Sequence, residues 1–304
     1  MGDIKVGIIG LDTSHSVEFP RRMNAPDCDA RLKVPGLRAT TCLRFPSIYQ
    51  KEEGQDKRQK QLEDWGIKVT TDLNEAVKDC DALMLEINNP SLHLQYFEKC
   101  ASLGKPIFLD KPFAENLASG KKIVEIAKKN NTKFFTGSSL RFTPMIIDAC
   151  VKIPKPDFVT VFGSIGGAPD PSIKLPELLV WYGVHTFELL EKAMGKGAIS
   201  VFTKQDEIGL VSIVQYPDKR RGIVELSNQV WLYGGFLRTK DNKAENFVIE
   251  VPYMVHDAVT DILKATKKFF EGGSMPVDIE DSVEILAVQD AAARSLVSGK
   301  IETV

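Results

Sequence analysis

The chain has 304 residues, which exceeds the length at which one hydrophobic core usually stops growing, so we expect two domains. Hydrophobic residues make up 43% of the sequence and charged residues 26%, a balance typical of a folded globular protein. The formal net charge of −2 leaves no overall positive field, which argues against nucleic acid or an acidic membrane surface as a partner.

The first half of the chain alternates short apolar runs with helical patterns, which indicates βαβ units and a parallel sheet. Strands are predicted at residues 4–9, 37–43, 68–70, 82–87, 106–109 and 133–136. Helices are predicted at residues 73–78, 91–103 and 114–129. The short basic cluster at residues 57–60 has acidic neighbours and is interpreted as a solvated loop.

After about residue 140 the pattern changes to strand-like runs that follow one another with only turns between them. Such runs predict an antiparallel sheet, with strands at residues 158–165, 208–216, 222–230 and 232–239. Helices predicted at residues 177–194, 257–270 and 279–297 flank this sheet. The sequence therefore indicates an α/β domain followed by an α+β domain.

A turn follows the first predicted strand, where a dinucleotide-binding Rossmann fold places its phosphate-binding loop. Of the three glycines in the usual GxGxxG pattern, the segment GLDTSH keeps only the first, Gly10. Asp12 stands in place of the second glycine and His15 in place of the third. Because a β-carbon and a carboxylate at position 12 oppose the close approach of a phosphate, this turn is a weak nucleotide-binding motif. A Rossmann domain that binds no nucleotide is the alternative.

The end of the second predicted strand bears on the choice of cofactor. The acid that would bind a ribose hydroxyl is replaced by Leu43, and Arg44 follows it. Arg44 can pair with the 2′-phosphate of NADP, or it can be an ordinary surface cation. The sequence therefore leaves NAD and NADP both open.

Four short motifs stand along the chain, namely NNPSLH at residues 88–93, GKPIFLDKP at 104–112, SLRFTP at 139–144 and YGVHTFE at 182–188. Together, and in the same order, they resemble motifs of the Gfo/Idh/MocA oxidoreductase family. The first two look like its TPNxxH loop and its GKxVxxEKP element. The third is similar to the arginine-aromatic crossover between its two domains, and the fourth resembles its GxHxxD or GxHxxE helix.

This resemblance implies a Rossmann nucleotide-binding domain over residues 1–137. It implies that residues 138–304 form an α+β domain with an open, mainly antiparallel sheet for substrate binding and oligomerisation. The implied activity is NAD(P)-dependent hydride transfer between a nicotinamide cofactor and a sugar-, cyclitol- or polyol-like substrate. The alternative is a non-catalytic small-molecule-binding or regulatory protein on the same scaffold that has lost cofactor binding.

The resemblance also assigns catalytic roles to three residues. Lys111 would hydrogen-bond the reacting hydroxyl or carbonyl, and His185 would take or return the proton, which suits a group titrating near neutral pH. Glu188 shares a helix face with His185. Many family members carry an aspartate four residues before the histidine, but this chain has Trp181 there, so proton transfer depends on His185 with help from Glu188 or Tyr182. A surface role for Lys111 and a buried His185–Glu188 pair are the structural alternatives.

The complete set of predicted ligand-binding residues follows from the same motifs. The cofactor-binding set is Gly10, Leu11, Asp12, Thr13, Ser14, His15, Arg44, Asn88, Asn89, His93, Asp110, Lys111 and Arg141. The substrate-binding set is Lys111, Trp181, Tyr182 and His185. No metal site is predicted, and metal-dependent hydrolysis by Asp12, His15 and His185 is the weakest alternative because no ligand spacing supports it.

The remaining features concern location and assembly. Five cysteines form no CxxC pair and are odd in number, which predicts reduced thiols in a cytoplasmic protein. No apolar run is long enough to span a bilayer, and we expect no secretory signal. The strands of the second half supply more apolar surface than the flanking helices would cover, so we expect a homo-oligomer, a dimer or tetramer, through that sheet.

Overall fold

The structure is a computed structural model that describes residues 2–166 and 173–304. The chain divides into two compact units. The first comprises Met1–Ala114, Lys121–Thr136 and Val259–Asp278, and the second comprises Glu115–Gly120, Gly137–Ala258 and Ile279–Val304. The first unit thus includes a late segment that the sequence pattern places in the second domain. Apolar packing explains this, since Phe269 contacts Phe135 of the first unit edge-on at 5.3 Å between ring centroids.

A six-stranded parallel sheet forms the core of the first unit. Its strands are β1 (Ile4–Ile9), β2 (Leu37–Leu43), β3 (Lys68–Thr70), β4 (Ala82–Leu85), β5 (Ile107–Leu109) and β6 (Phe134–Thr136). They lie in the order β3-β2-β1-β4-β5-β6, so the direction of strand succession reverses between β1 and β4. Every residue of β4, β5 and β6 is buried, as expected for parallel strands covered on both faces. Ligands of such sheets bind at the reversal point, beyond the carboxyl ends of the strands.

Five helices follow the first five strands of this sheet, and the second of them lies where the charge pattern predicts a loop. They are α1 (His15–Asn24), α2 (Glu52–Asp64), α3 (Leu73–Val77), α4 (His93–Ala101) and α5 (Leu117–Asn130). Residues 57–60, for which the charge pattern predicts a loop, lie on α2. Only Gln55 and Leu62 of α2 are buried, so this helix carries almost no apolar periodicity from which it can be recognised.

The second unit contains a seven-stranded sheet in the order β12-β11-β7-β10-β9-β8-β13. Its strands are β7 (Phe158–Ser164), β8 (Ser200–Gln205), β9 (Gly209–Gln215), β10 (Arg221–Ser227), β11 (Tyr233–Arg238), β12 (Ala244–Ile249) and β13 (Glu302–Thr303). Strands β7 and β10 pair in parallel, while the other neighbouring strands of the described chain pair antiparallel. The mainly antiparallel sheet of the prediction is therefore confirmed, and β8, β12 and β13 extend it.

Helices cover one face of the second sheet. The remaining helices of the chain are α6 (Pro144–Lys152), α7 (Leu175–Trp181), α8 (Val184–Met194), α9 (Val251–Val255), α10 (Asp257–Phe270) and α11 (Ile279–Ser298). Apolar residues of α8 and α11, among them Phe187 and Leu286, are buried. The single helix predicted at residues 177–194 is two helices, because α7 ends at Trp181 and α8 starts at Val184. Among the described helices, none combines the length and the apolar character that crossing a membrane requires.

Candidate functional site

The turn after β1 lies at the reversal point of the first sheet. Gly10 has a φ of 108°, and a β-carbon there would lie 2.3 Å from the carbonyl oxygen of Glu86, so only glycine fits. Helix α1 starts at His15, directly after the turn. Ser14 is exposed and His15 is partly exposed, which leaves the N-terminal end of α1 accessible to an anion. The preceding turn residues are buried, namely Leu11, Asp12 and Thr13.

The carboxylate of Asp12 joins three loops of this edge. One oxygen accepts a hydrogen bond from the backbone N–H of Asn88 (2.9 Å), and the other accepts one from the hydroxyl of Ser47 (2.6 Å). Asn88 follows β4 and Ser47 follows β2, while Asp12 itself follows β1. Because its side chain is bonded inside the protein and the residue is only 2% exposed, the acid that seems to oppose a phosphate has a structural role.

The imidazole of His15 and the carboxylate of Asp110 are in hydrogen-bond contact at the same edge. Nδ1 of His15 lies 3.0 Å and 2.9 Å from the two carboxylate oxygens of Asp110. One of these oxygens also accepts a hydrogen bond from the backbone N–H of Lys111 (2.8 Å). Burial acts to raise the pKa of Asp110, but the neighbouring His15 and Lys111 outweigh it and hold this pKa at about 2. Asp110 is therefore an ionised acid, and the half-buried Lys111 follows it at the carboxyl end of β5.

Glu86 is a buried acid that the sequence analysis misses. It directly follows β4 and is 0% exposed, and no N–H or hydroxyl donor within the described parts of the chain hydrogen-bonds to either of its carboxylate oxygens. Burial, reinforced by the negative charge of Asp110, raises the pKa of Glu86 well above its usual value. A buried polar group without a partner costs about 1–3 kcal/mol of stability. The available sequence signal is an acid at the end of the apolar run ALMLEI.

In the second unit, Ser138 positions His185. Nδ1 of His185 lies 2.6 Å from the hydroxyl oxygen of Ser138, a residue with 0% exposure. The backbone N–H of Ser138 donates to the carboxylate of Glu188 (2.7 Å), and its hydroxyl accepts from the backbone N–H of Leu140 (3.2 Å). Glu188 thus supports His185 through Ser138. The Ser138 hydroxyl thus holds the imidazole ring of His185. The two residues are 47 positions apart in the sequence, so no local pattern reveals their contact.

Aromatic rings border His185. The ring centroid of Tyr182 lies 5.8 Å from that of His185, and the centroid of Tyr233 lies 5.9 Å away. Tyr182 also contacts Trp181 (5.7 Å) and Trp231 (5.5 Å). Trp231 is 42% exposed, so part of this aromatic group is accessible to a ligand. The sequence pattern predicts Trp181 and Tyr182 at the site. It does not predict Trp231 and Tyr233, which are distant in the sequence and contact Tyr182 and His185 only in the folded chain.

Comparison with known proteins identifies the family of the first domain. Residues 4–138 match the family model for an oxidoreductase family with an NAD-binding Rossmann fold, Gfo/Idh/MocA. The Rossmann domain of this chain belongs to the Gfo/Idh/MocA oxidoreductase family. Among curated proteins, YceM of Salmonella typhimurium, named as an oxidoreductase, is 28% identical over 90 residues. That match covers 30% of this chain and 29% of YceM, so it spans less than a third of the relative's length.

Solved structures share the fold over nearly the whole chain. A scyllo-inositol dehydrogenase from Lactobacillus casei, solved with NAD(H) and scyllo-inositol, superposes with a TM-score of 0.79 at 15% identity. A myo-inositol 2-dehydrogenase from Lactobacillus plantarum has the same TM-score at 14% identity. Each comparison covers 99% of both chains. At these identities the similarity establishes the fold, which is the predicted α/β and α+β combination.

Arg44 is paired with side chains of α2. Its guanidinium forms ion pairs with Glu52 and with Asp56 (2.7 Å) and donates a hydrogen bond to Gln59 (2.7 Å), all on α2. Two carboxylates offset its charge, which disfavours a second anion beside it. The cofactor contact of Arg44 stays a prediction.

Arg141 is likewise occupied inside the protein. It forms a buried ion pair with Glu191 and donates to the backbone carbonyl of Glu188 (3.2 Å), and Asp281 lies 3.9 Å from its guanidinium. Its side chain is only 7% exposed. The guanidinium is thus bound by groups of its own unit, and its cofactor contact stays a prediction.

Asn89 and His93 shape the loop after β4. The Asn89 side chain accepts hydrogen bonds from the backbone N–H (3.1 Å) and hydroxyl (2.8 Å) of Ser91, which caps the short helical turn that follows. His93 is fully buried, with Nε2 2.8 Å from the carbonyl oxygen of Ile87. Burial lowers the pKa of His93, so its ring is neutral and serves the loop.

Proposed function

We propose that the protein is an NAD(P)-dependent oxidoreductase that transfers a hydride between a nicotinamide cofactor and a sugar-, cyclitol- or polyol-like substrate. His185 carries this proposal, because it lies in the family's histidine motif, is held through Nδ1 by Ser138, and is bordered by aromatic rings. The inositol dehydrogenases that share the fold support the substrate class.

The edge of the first sheet has features that fit a dinucleotide. The strand order reverses there, and an accessible helix N-terminus follows Gly10 directly. Ser14, His15 and the backbone around them would hold the pyrophosphate, and Asp12 does not oppose it because Ser47 and Asn88 bind its carboxylate. When bound, the cofactor supplies or accepts the hydride.

Polar and aromatic side chains of the protein would bind the substrate and transfer its proton. Lys111 would donate a hydrogen bond to the reacting oxygen. When Nδ1 of His185 donates its proton to the Ser138 hydroxyl, Nε2 keeps a lone pair and can accept a proton from a substrate hydroxyl. The accessible rings near His185 offer apolar faces to the C–H groups of a sugar ring.

Titration of the purified protein with NADH and NADPH, followed by fluorescence, tests the cofactor. We expect saturable binding, and the variant Arg44→Ala should leave the ratio of the two affinities within about twofold, since Glu52 and Asp56 neutralise Arg44. A loss of about tenfold in NADPH affinity alone would mean that Arg44 binds the 2′-phosphate.

A panel of cyclitols and sugar alcohols with each oxidised cofactor then tests the reaction. Absence of binding by both cofactors would favour the non-catalytic alternative.

We also propose that the protein forms a homo-oligomer through the open face of the second sheet. Val211, Phe236 and Val248 are 37%, 45% and 45% exposed, and the strand register places all three on the face opposite the buried Val161 and Val224. Apolar faces of this kind mark interfaces in many proteins.

Light scattering tests this assembly. We expect the mass of a dimer or tetramer, and the double variant Phe236→Glu/Val248→Glu should shift it toward the monomer because a charge cannot be buried cheaply at an apolar contact. Val297→Glu is the matched control, since Val297 is 79% exposed but lies on α11. A monomeric wild-type protein over a wide concentration range would contradict the proposal.

The cysteines support a cytoplasmic location, which we propose as well. All five are free thiols, and four of them are buried. Thiols persist in reducing compartments, whereas oxidising ones favour disulfides.

A further inference from the structure

One imidazole and two carboxyl groups converge at the edge of the first sheet. His15, Glu86 and Asp110 each present one potential ligand atom, and these three atoms lie within 4.8 Å of one another. The residues come from the start of α1 and from the carboxyl ends of β4 and β5, which are neighbours in the sheet. The cluster is therefore built by the rigid part of the fold.

Glu86 gives the cluster an unsatisfied ligand. It is 0% exposed, and no N–H or hydroxyl donor of the described residues hydrogen-bonds to either of its carboxylate oxygens. A bound cation would lie against these acceptor oxygens and offset the charge of the ionised carboxyl groups.

The spacing of His15 and Asp110 suits metal coordination, and the ligand atom of Glu86 lies within 4.8 Å of theirs. Nδ1 of His15 lies 2.9 Å and 3.0 Å from the Asp110 oxygens. Two ligands at about 2.1 Å from one ion are about 3.0 Å apart when they make a right angle at it. His15 is also the accessible member, with a side chain that is 16% exposed, so an ion and its remaining solvent ligands can reach the site past it.

We propose that His15, Glu86 and Asp110 bind a divalent first-row transition-metal ion, of which Zn²⁺ is the probe. One imidazole nitrogen with two carboxylate oxygens suits such ions, whereas Mg²⁺ prefers oxygen ligands and retains its water. A bound cation also changes the electrostatics of the edge, because it offsets the acids beside the helix terminus where an anion is expected. The proposal stands whether or not the protein reduces or oxidises a polyol.

Calorimetric titration of Zn²⁺ into tag-free, chelator-treated protein tests the site. We expect one Zn²⁺ per chain, with Glu86→Gln and His15→Gln each weakening binding by at least about tenfold. Glu98→Gln, which removes an exposed acid from α4, is the matched control and should bind Zn²⁺ like the wild type. Mg²⁺ should bind at least about tenfold more weakly than Zn²⁺.

Thermal melting supplies a second readout. Zn²⁺ should raise the Tm of the wild type and of Glu98→Gln but not that of Glu86→Gln or His15→Gln, since an ion that binds the folded state stabilises it. His15 is partly exposed, so its variant keeps the test valid if the Glu86 variant does not fold. Wild-type protein without Zn²⁺ binding, or Zn²⁺ binding that both ligand variants retain, would overturn the proposal.

Discussion

Replacing His185 by Ala is expected to lower kcat by about 100- to 10,000-fold, the range over which a general acid–base group contributes to catalysis. Lys111→Ala should lower kcat/KM strongly as well, because the reacting oxygen loses its hydrogen-bond donor. Both residues are partly exposed, so the variants should keep the circular dichroism spectrum and the Tm close to wild type. Steady-state kinetics with the best substrate from the cyclitol panel provides the measurement.

The variant Ser138→Ala tests whether Ser138 positions His185 for catalysis. Ser138→Ala removes the hydroxyl 2.6 Å from Nδ1 of His185, so kcat should fall and the pH profile of kcat should shift, while KM changes little. Ser139→Ala is the matched control, because Ser139 is also buried and directly follows Ser138. An unchanged kcat and pH profile in Ser138→Ala would show that the serine has only a structural role. Full activity in His185→Ala would remove the histidine from the mechanism.

Local patterns predict most of the first unit. The bounds of β1, β2 and β3 agree with the predicted segments. Helix α2 fails the same approach, since nearly all of its residues face solvent and its charges resemble those of a loop. Glu52 and Asp56, the ion-pair partners of Arg44, lie on this helix and escape prediction for the same reason.

Candidate site residues that depend on distant partners escape the sequence. The histidine motif identifies His185, but the hydroxyl that orients it comes from Ser138, and Glu86 meets His15 only through the pairing of strands β1 and β4. For Asp12, the sequence suggests an unfavourable charge where the structure shows a bonded carboxylate. Its carboxylate looks adverse beside the turn, yet folding directs it to two donors in neighbouring loops. The sequence therefore shows that a carboxylate at position 12 needs hydrogen-bond donors. Which residues supply them depends on the order of the strands in the sheet.

Breaking the buried Arg141–Glu191 pair is expected to have the largest effect on stability. The side chains are 7% and 9% exposed, so Arg141→Met leaves a buried carboxylate without its cation, which typically costs about 3–5 kcal/mol of unfolding free energy. Arg294→Met is the control, since its pair with Asp290 is 46% and 36% exposed and should contribute less than about 1 kcal/mol. Urea unfolding of both variants measures the difference.

The pH dependence of that loss identifies its cause. Burial raises the pKa of Glu191 even with Arg141 present, and removal of the cation should raise it further. A carboxyl whose pKa is higher in the folded state binds its proton more readily there, so the variant should lose stability as the pH rises above the ordinary range for glutamate. Toward acidic pH the loss should shrink. The double variant Arg141→Met/Glu191→Leu should recover much of it at neutral pH, because no unpaired charge remains. A loss that is independent of pH and persists in the double variant would instead assign the effect to the packing of the Arg141 side chain.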